Sequence, residues 1–454
     1  MLNRKIEKTI IDWMNHSDKA LLIDGARQVG KTYVIRKVLE SRNCNYIEFN
    51  LIETPQIISV LSESKTIDDL MANLSLFTDQ SFIKGETYLF FDEIQEFKEL
   101  TTKIKFWVDD GTFRYIFSGS LLGVALKNIK SAPVGYLRTA TMYPMDFEEF
   151  LQLYHFTNEL RDSLYHSFTQ CQSVNEAVHE RMMTIFNMYL NVGGMPAAVE
   201  RFGQTKNLEE VISEHEDIVL QYKKDFTRYE SEEKKPFLTQ IYDLIPSEIN
   251  QCNKRFNFAD LKKGFRYERS EEDFVWLNHA GVSLPVYNVT SPEFPLLLNE
   301  KHSLFKLFLS DVGLLTSIYG RAIKKQLIVG SKEINFGAIY ENVVAQELMA
   351  HGFRLHYFNS KKQGELDFVI EHNGCVLPIE VKSGKDYQRH SALSNILASS
   401  NYQIEKALVL SNYNVEVIDR VVYYPIYMIM FIQADDVELP LVELDDLSQY
   451  HAER

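Results

Sequence analysis

One stretch near the start of this 454-residue chain narrows its possible folds more than any other. It fits the pattern G-x-x-x-x-G-K-[ST], after the apolar run 20–23 and before the helix-like run 33–39, and consists of Gly25, Ala26, Arg27, Gln28, Val29, Gly30, Lys31 and Thr32. Glycines let backbone N–H groups curl around a phosphate at a helix N-terminus, while the lysine reaches the β- and γ-phosphates and the threonine hydroxyl binds Mg²⁺. We therefore predict that this loop binds ATP with Mg²⁺. The alternative, a glycine turn with a surface lysine, leaves both flanks unexplained.

A second pattern, an acidic pair after a buried strand, fits the same chemistry. The apolar run 88–91 ends in Asp92 and Glu93. At the carboxyl end of a central parallel strand, facing a phosphate loop, Asp92 would hold Mg²⁺ through water and Glu93 would orient or deprotonate the attacking water. An ordinary strand followed by an acidic helix start is the alternative. Together with Lys31, the pair predicts ATP hydrolysis.

Composition sets broader limits. The length suits about three domains, and four scattered cysteines without a C-x-x-C pair indicate reduced thiols rather than disulfides or a zinc site. The N-terminal residues lack the apolar core of a signal peptide, and the longest apolar run, 421–432, is too short to span a bilayer. We therefore expect a cytoplasmic protein that does not enter the membrane. The net charge of −15 argues against general coating of nucleic acid but allows a local basic groove.

Two further residues carry a resemblance to the AAA+ ATPases. A third strand, 115–117, ends at Ser118, and Arg138 stands immediately before the strand-like run 139–143. In that class of ATPases the resemblance implies that Ser118 senses the γ-phosphate. It also implies that Arg138 is an arginine finger, often presented to a neighbouring subunit, which makes a homo-oligomer an expectation. The alternatives are a strand-ending turn and a surface arginine.

The sequence changes from strand-rich to helix-rich near residue 150, which predicts an ATPase core over 1–150 and a helical lid over 151–234. Within the lid, the segment 189–196 ends in Gly193-Gly194-Met195-Pro196. This is similar to the Gly-x-Pro element of signal-transducing ATPases of the STAND type, in which the proline packs by the adenine. The resemblance therefore implies that Pro196 contacts the nucleotide. A plain interhelical turn is the alternative.

Residues 235–300 alternate three helical patterns with a final hairpin, the order of a winged helix. Such a module can touch DNA with its third helix. Here that helix carries four acids, Glu268, Glu271, Glu272 and Asp273, beside Arg266 and Arg269. Docking of a protein partner, or packing within the chain, is therefore at least as strong an expectation as DNA binding.

A second catalytic pattern lies in residues 301–434. Glu341 belongs to a segment that predicts an amphipathic helix, Asp367 to a strand, and Glu380 and Lys382 to the next strand of a hairpin. Residues two apart in a strand share a face, so Glu380 and Lys382 project together. Two carboxylates can fix a divalent metal that polarises a phosphodiester, and a lysine can position a water or stabilise negative charge. Glu341 would complete the acidic set.

This order of helix, Asp and Glu-x-Lys resembles the PD-(D/E)XK nuclease fold, although Gly-Glu-Leu replaces the usual Pro-Asp before Asp367. The resemblance implies that Asp367, Glu380 and Lys382 are catalytic, with Mg²⁺ or Mn²⁺ held by Glu341, Asp367 and Glu380, and with DNA or RNA as substrate. A hairpin carrying an exposed Glu–Lys ion pair is the alternative. The last segment, 435–454, is an acidic tail.

Taken over nearly its full length, the chain resembles a bacterial and archaeal family of AAA+-type ATP-binding proteins that end in a nuclease-like domain. The implied fold is α/β and multidomain: a parallel-sheet ATPase core, a helical lid, a winged-helix-like module and a restriction-endonuclease-like domain. Two functions stay open. The first is an ATPase switch that controls a metal-dependent nuclease-like domain acting on nucleic acid. The second is an ATP-switched scaffold protein whose nuclease-like domain is inactive.

Overall fold

The phosphate loop belongs to a sheet of five parallel strands. In a computed structural model, which describes residues 2–120, 135–229, 235–251, 255–256, 271–329 and 336–434, the strands follow the order β2-β3-β4-β1-β5. They are β1 Ala20–Asp24, β2 Tyr46–Asn50, β3 Tyr88–Asp92, β4 Arg114–Ser118 and β5 Leu137–Thr141. Strands β1, β3 and β4 are almost wholly buried, as expected of parallel strands covered on both faces. The predicted parallel sheet of the core is thus confirmed.

Alternation along β1 divides its side chains between two cores. Leu21 and Ile23 pack with the helices on one face, whereas Leu22 packs with those on the other, because successive strand residues point to opposite faces. The first face is covered by α1 Ile6–His16 and α2 Lys31–Ser41, and the second by α3 Gln56–Glu63, α4 Ile67–Leu74 and α5 Leu100–Asp110. The carboxyl end of β3 lies beside the start of α2, where the Thr32 hydroxyl bonds to Asp92.

Helices dominate the middle of the chain. They are α6 Phe147–Phe150, α7 Asn158–Thr169, α8 Glu176–Val192, α9 Pro196–Thr205, α10 Leu208–Tyr229, α11 Lys235–Glu248 and α12 Glu271–His279. Their starts follow local chemistry: the Thr157 and Asn175 side chains cap α7 and α8, and Pro196 occupies the first turn of α9. Gly193 ends α8 with a φ of 70°, a backbone conformation that suits glycine.

The C-terminal part contains a mixed sheet of eight strands in the order β12-β13-β11-β10-β9-β8-β6-β7. Its strands are β6 Ser283–Val289, β7 Glu300–Leu309, β8 His356–Ser360, β9 Gly364–His372, β10 Cys375–Val381, β11 Ala407–Ser411, β12 Glu416–Ile418 and β13 Val421–Pro425. Helices α13 Val312–Tyr319, α14 Arg321–Val329, α15 Gly337–Ala350 and α16 Ser391–Ala398 accompany it. Short 3₁₀ helices lie at Ser75–Phe77, Ile94–Glu96, Leu151–Tyr154, Leu296–Asn299 and Ile426–Phe431.

The hairpin expected to be the wing of a winged helix lies in this larger sheet. Strand β6 pairs with β7 on one side and runs parallel to β8 on the other, so the boundary drawn at residue 300 separates two strands of one sheet. A buried strand needs partners on both sides for its backbone groups, which explains this placement. A winged helix is not confirmed. Arg266, Glu268, Arg269 and the acidic tail at 435–454 lie outside the described residues.

The helix that carries Glu341 differs from the amphipathic helix expected. Eleven consecutive residues of α15, from Ala338 to Leu348, are buried. The helix packs against β6, β7, β10, α13 and the 3₁₀ helix Ile426–Phe431, so little of it faces solvent. Buried polar residues on such a helix require partners within the protein. Across the described ranges, no helix combines the length and apolarity needed to cross a membrane.

Candidate nucleotide and carboxylate sites

The phosphate loop makes its turn with three residues in the left-handed region of backbone space. Gly25, Gln28 and Gly30 have φ values of 134°, 64° and 95°. A Cβ on Gly25 would lie 2.2 Å from the carbonyl oxygen of Met142, so only glycine fits between the loop and the chain after β5. Gly30 caps α2, and Lys31 and Thr32 are its first residues. Their backbone N–H groups therefore stand at a helix N-terminus, where a phosphate is favoured.

The Lys31 side chain lies along the loop. Its Nζ donates hydrogen bonds to the carbonyl oxygens of Gly25, at 3.0 Å, and Ala26, at 2.8 Å. Burial lowers the pKa of Lys31 to about 8, against the opposing effect of the nearby Glu93 and Asp92 carboxylates. The ammonium group is thus held beside the loop and close to the acidic pair, as a phosphate-binding lysine must be.

Asp92 is the centre of a hydrogen-bonded cluster at the carboxyl ends of the strands. Its Oδ2 accepts from the Thr32 hydroxyl at 3.0 Å and from Asn50 Nδ2 at 3.4 Å, while its Oδ1 accepts from the Ser118 hydroxyl. Asn50, Asp92 and Ser118 are the last residues of β2, β3 and β4. Thr32 and Asp92 supply the oxygen ligands that Mg²⁺ prefers. Asn50 was not predicted from the sequence, where its position at the end of a strand is a weak local clue.

Glu93 follows directly with a strained backbone. Its φ of 57° and ψ of 44° are uncommon for a residue with a side chain, and such strain is concentrated at functional sites. The Gln95 side chain donates a hydrogen bond to Glu93 Oε2. Gln95 was also missed in the sequence. It holds the Glu93 carboxylate, whose charge acts on Lys31 of the loop.

Residues from outside the ATPase core contact the phosphate loop at three of its positions. Arg27 Nη1 is 2.6 Å from Asp225 Oδ1, and the Tyr222 hydroxyl donates to the Arg27 carbonyl at 3.2 Å. A Cβ built on Gly281 would lie 2.8 Å from Ala26 N, and one built on Gly30 would lie 3.7 Å from Pro196 Cγ. Pro196 is therefore beside the loop. Its contact with the adenine, which the Gly-x-Pro resemblance implies, stays a prediction.

The N-terminal segment adds one more contact, from Arg4 Nη1 to the Val29 carbonyl at 2.9 Å. We call the five residues Arg4, Pro196, Tyr222, Asp225 and Gly281 the loop clamp. None of these contacts with the loop was predicted, because the partners have no local pattern that distinguishes them as neighbours of the loop.

Arg138 lies at the far end of the sheet from the loop. It pairs in register with Leu21 near the start of β1, whereas the loop follows Asp24 at the end, about 10 Å farther along at about 3.3 Å per residue. Its Nη2 is 2.9 Å from Asp12 Oδ2, and this hydrogen bond lowers the pKa of Asp12. Arg138 does not reach the loop of its own chain. A role towards a neighbouring subunit stays a prediction.

The four residues of the nuclease-like pattern come together around β9 and β10. Phe368 pairs with Ile379, so the adjoining Asp367 and Glu380 stand opposite each other across the two strands. Asp367 Oδ2 accepts from the Val381 N–H at 2.9 Å, and Lys382 Nζ is 2.7 Å from Glu380 Oε1. Asp367 and Glu380 are both buried. The Glu–Lys pair is therefore not the exposed pair of the alternative interpretation.

Charge at this cluster is unbalanced towards the acids. Burial and the neighbouring Asp367 raise the pKa of Glu380 to about 8, with Glu341 adding to the effect and Lys382 opposing it. Glu380 Oε2 is buried and accepts no hydrogen bond from the described residues. A divalent cation would satisfy this oxygen and relieve the repulsion between carboxylates.

The described residues do not form a complete metal site. In those parts of the chain, no three His, Cys, Asp or Glu side chains are arranged to hold a metal ion. The buried Glu380 oxygen and the facing Asp367 nevertheless have the donor chemistry that suits Mg²⁺ or Mn²⁺. These two residues are accordingly the ones that would hold the ion, with Glu341 as a further carboxylate close to Glu380.

Comparison with known families divides the chain into three matched regions. Residues 17–151 match the family described as AAA domain, while residues 183–325 and 336–429 match two families described only as domains of unknown function. The first match contains the whole phosphate loop and the Asp92 cluster. The other two contain most of the loop clamp and the carboxylate cluster, and they assign no activity to either.

Similar whole proteins are distant. The chain is 22% identical to the uncharacterized protein MJ1544 of Methanocaldococcus jannaschii over 374 residues, which cover 82% of this chain and 75% of the relative. A Walker-type ATPase of Pyrococcus abyssi matches with a TM-score of 0.42 and 15% identity over 70% of this chain and 96% of its own. The Aeropyrum pernix ORC1 protein, solved in complex with DNA, matches with a TM-score of 0.30 and 12% identity over 72% and 94%.

At these TM-scores neither solved structure defines the architecture of the whole chain. The ATPase core has firmer support, because its sheet order, its phosphate loop and the family match all fall on the same residues. Residues 17–151 of this chain therefore form an AAA-type P-loop ATPase domain.

Proposed function

We propose that the chain is an ATP-hydrolysing switch whose nucleotide state controls metal-dependent cleavage of nucleic acid by the C-terminal domain. One observation carries the second half of this proposal: Asp367, Glu380 and Lys382 meet in a partly enclosed cluster across β9 and β10. A structural hairpin has no need of two facing, buried carboxylates, since each must lose its hydration. A metal-binding site does.

In the ATPase step, the residues around the loop divide the work. Thr32 and Asp92 would hold Mg²⁺, which would act as a Lewis acid on the β- and γ-phosphates. The Lys31 ammonium stabilises charge on the phosphates, and Glu93 orients the water that attacks the γ-phosphorus. Ser118, bonded to Asp92, would sense the γ-phosphate. Arg138 would complete the site of a neighbouring subunit in a homo-oligomer.

A continuous set of contacts supports coupling from the loop to the C-terminal domain. Pro196 packs beside Gly30, and the preceding Gly194 donates its N–H to Asp311 Oδ2 at 2.6 Å. Asp311 caps α13, directly after β7 of the second sheet. A Cβ on Gly313 would lie 2.7 Å from Gly193 Cα, so the two backbones are in direct contact. Movement of the Pro196 segment cannot leave α13 in place.

Helix α13 in turn contacts α15, which carries Glu341. The Val312 N–H donates to Gln346 Oε1 at 2.8 Å, and Gln346 Nε2 donates to the Tyr189 hydroxyl at 2.8 Å. The neighbouring Glu347 is fully buried and accepts from the Phe147 N–H at 2.9 Å. Helices of the ATPase side and of the C-terminal side thus share one buried polar network. Because water cannot replace the hydrogen-bond partners in this network, displacement of one helix would displace the other.

In the nuclease step, Asp367 and Glu380 would hold Mg²⁺ or Mn²⁺, which would polarise the phosphodiester. Lys382 positions a water or stabilises the developing negative charge. The water oxygen forms a bond to phosphorus, one P–O ester bond breaks, and the departing alcohol oxygen takes up a proton. The products are a strand ending in a phosphate and a strand ending in a hydroxyl.

The experiment that tests this proposal is incubation of the full chain with labelled DNA and RNA, Mn²⁺ and ATP. We expect cleavage by the wild type and its loss in Asp367→Ala and Lys382→Ala. Glu405→Ala, which removes an exposed carboxylate of the same domain, is the matched control and retains cleavage. Absence of cleavage with every substrate rejects the proposal.

An inactive nuclease-like domain used as a scaffold is the second candidate. It is favoured by the contact of Asp367 Oδ2 with the Val381 backbone, which a purely structural aspartate would also make. In that case no variant of the carboxylate cluster changes the fate of nucleic acid, whereas ATP still alters the binding of a protein partner. The same assay separates the two candidates.

A further inference from the structure

Three loops meet at the edge of the second sheet where the carboxylate cluster lies. Strands β8, β10 and β11 end at this edge and β9 begins there, so the loops 361–363, 382–390 and 412–415 emerge side by side. Asn412 Nδ2 donates to the Ser383 carbonyl at 3.3 Å, which ties two of these loops together. Asn395 Nδ2, from α16, donates to the Gln363 carbonyl at 3.2 Å and holds the third.

These loops reverse the charge of the rest of the chain. Together they contain five basic residues and one acid, Asp386, in a protein whose net charge is −15. Lys382 belongs to the carboxylate cluster, and the other four basic residues are exposed: Lys361, Lys362, Lys385 and Arg389. A local basic surface on an acidic protein concentrates phosphates at one place instead of over the whole molecule.

The same edge carries a pair of stacked aromatic rings. Tyr387 and Tyr413 have ring centroids 4.1 Å apart with an interplanar angle of 19°. Tyr423 meets Tyr387 edge-on, and the Tyr387 hydroxyl donates to Glu416 Oε2 at 3.0 Å, so the Tyr387 ring is fixed on several sides. Tyr413 keeps 36% of its surface exposed. The pair therefore forms a rigid platform whose outer ring is open to solvent.

We propose that this edge binds single-stranded nucleic acid, with an unpaired base stacked on Tyr413 and the flanking phosphates bound by the exposed basic residues. The inference rests on the proposed nuclease-like function and names its substrate class. A strand held in this way leads its backbone towards Lys382, which joins the basic loops to the carboxylates. Bases in a duplex are already stacked on one another, so an open ring face selects unpaired bases.

The test measures binding separately from cleavage. Fluorescence anisotropy of short labelled strands is recorded with the full chain in EDTA, where metal-dependent cleavage is absent. We expect single strands of DNA or RNA to bind more tightly than the matching duplex. Tyr413→Ala should weaken single-strand binding about tenfold, since a stacked base contributes about 1–3 kcal/mol, whereas Tyr413→Phe keeps the ring and binds as the wild type does.

Charge and location are tested with matched variants. Lys361→Gln with Lys362→Gln should reduce the slope of log affinity against log salt by about 0.7 for each lysine that contacts a phosphate. Phe106→Ala and Lys84→Gln remove an exposed aromatic ring and an exposed lysine in the ATPase domain and should change nothing. Thermal unfolding midpoints equal to that of the wild type show that the variants are folded.

Several results would overturn the inference. Equal binding of duplex and single strand, full binding by folded Tyr413→Ala, or displacement of the strand by an acidic peptide but not by unlabelled nucleic acid would each do so. Binding that depends on Tyr413 without any cleavage in Mn²⁺ supports the inference while rejecting nuclease activity. Cleavage that is unchanged by Tyr413→Ala and by the lysine substitutions would support nuclease activity while rejecting the inference.

Discussion

Arg27 of the phosphate loop and Asp225 of α10 form an ion pair of 2.6 Å, with side chains only 16% and 10% exposed. Tyr222, one turn earlier on α10, donates to the Arg27 carbonyl. The loop that receives the nucleotide is therefore fastened to a helix outside the AAA domain. Because a charge left alone in such a place is costly, the two groups are expected to move together.

Nucleotide binding should therefore change the amide hydrogen exchange of α10. We predict that ADP slows amide hydrogen exchange over residues 208–229 in the wild type, and that Asp225→Asn removes most of this protection, because the neutral amide no longer holds Arg27. Asp217→Asn, an exposed acid on the same helix, is the control and keeps the effect. Exchange in α10 that ignores ADP in the wild type would mean that the clamp does not transmit the nucleotide state.

Substitutions in the loop and in the acidic pair should affect ATP binding and ATP hydrolysis separately. Lys31→Ala is expected to abolish ATP binding, since its ammonium is the cation held at the loop. Glu93→Gln is expected to keep binding but lower the hydrolysis rate at least about a hundredfold, the usual cost of losing a general base. Calorimetric titration and phosphate release provide the two measurements. With Glu99→Gln as an exposed control, equal hydrolysis by Glu93→Gln and wild type removes Glu93 from this role.

Close backbone packing at the Gly-Gly-Met-Pro turn predicts a strong effect from one methyl group. A Cβ on Gly194 would lie 2.0 Å from the Met145 carbonyl oxygen, which cannot withdraw because Met145 N–H bonds to Gly194. Gly194→Ala should destabilise the protein by about 3 kcal/mol, the upper range for overpacking. Gly384→Ala, where a Cβ meets no atom within 4 Å, is the control. Unfolding midpoints from calorimetry that agree between the two variants would contradict this packing.

The carboxylate cluster predicts a pH dependence of stability. Burial and Asp367 raise the pKa of Glu380 in the folded protein to about 8. Between the pKa of this carboxyl in the unfolded chain and pH 8, the folded protein therefore binds more protons than the unfolded chain does. The stability contributed by Glu380 is therefore complete at low pH and lost as pH rises towards 8, at no more than about 1.4 kcal/mol per pH unit. Glu380→Gln should flatten this dependence in urea unfolding with EDTA. Glu405→Gln should not, and identical slopes in all three proteins would show that Glu380 is already ionised at neutral pH.

Local patterns in the sequence were sufficient for the ATPase core. Residues 25–32 and the pair Asp92–Glu93 could be recognised because each function is carried by adjacent residues on a strand, a turn and a helix. Glu380 and Lys382 were expected to share a face of one strand, but β10 ends at Val381 and Lys382 is the first residue after it. The pairing of Glu380 with Asp367 followed from a hairpin with a two-residue connection.

Contacts between residues far apart in the chain could not be predicted from such local patterns. Arg27 and Asp225 are 198 residues apart, and nothing near Asp225 marks it as the partner of a phosphate loop. The sequence of β6 predicts a hairpin strand. Its parallel pairing with β8 could not be predicted, because β8 lies about 70 residues later in the chain. Helix α15 was expected to keep a polar face, but Gln346 and Glu347 satisfy their polar groups inside the protein.

The central claim is that the nucleotide state governs the C-terminal cluster, and cleavage of a labelled single strand in Mn²⁺ tests it most directly. Rates are compared for the wild type without nucleotide, with ADP and with ATP, and for Lys31→Ala and Glu93→Gln with ATP. We predict at least about a fivefold difference between ATP-bound and nucleotide-free protein, as expected for coupled sites. Lys31→Ala should behave as nucleotide-free protein, and Glu93→Gln as ATP-bound. Equal rates in every state, or no cleavage in any, would contradict the claim.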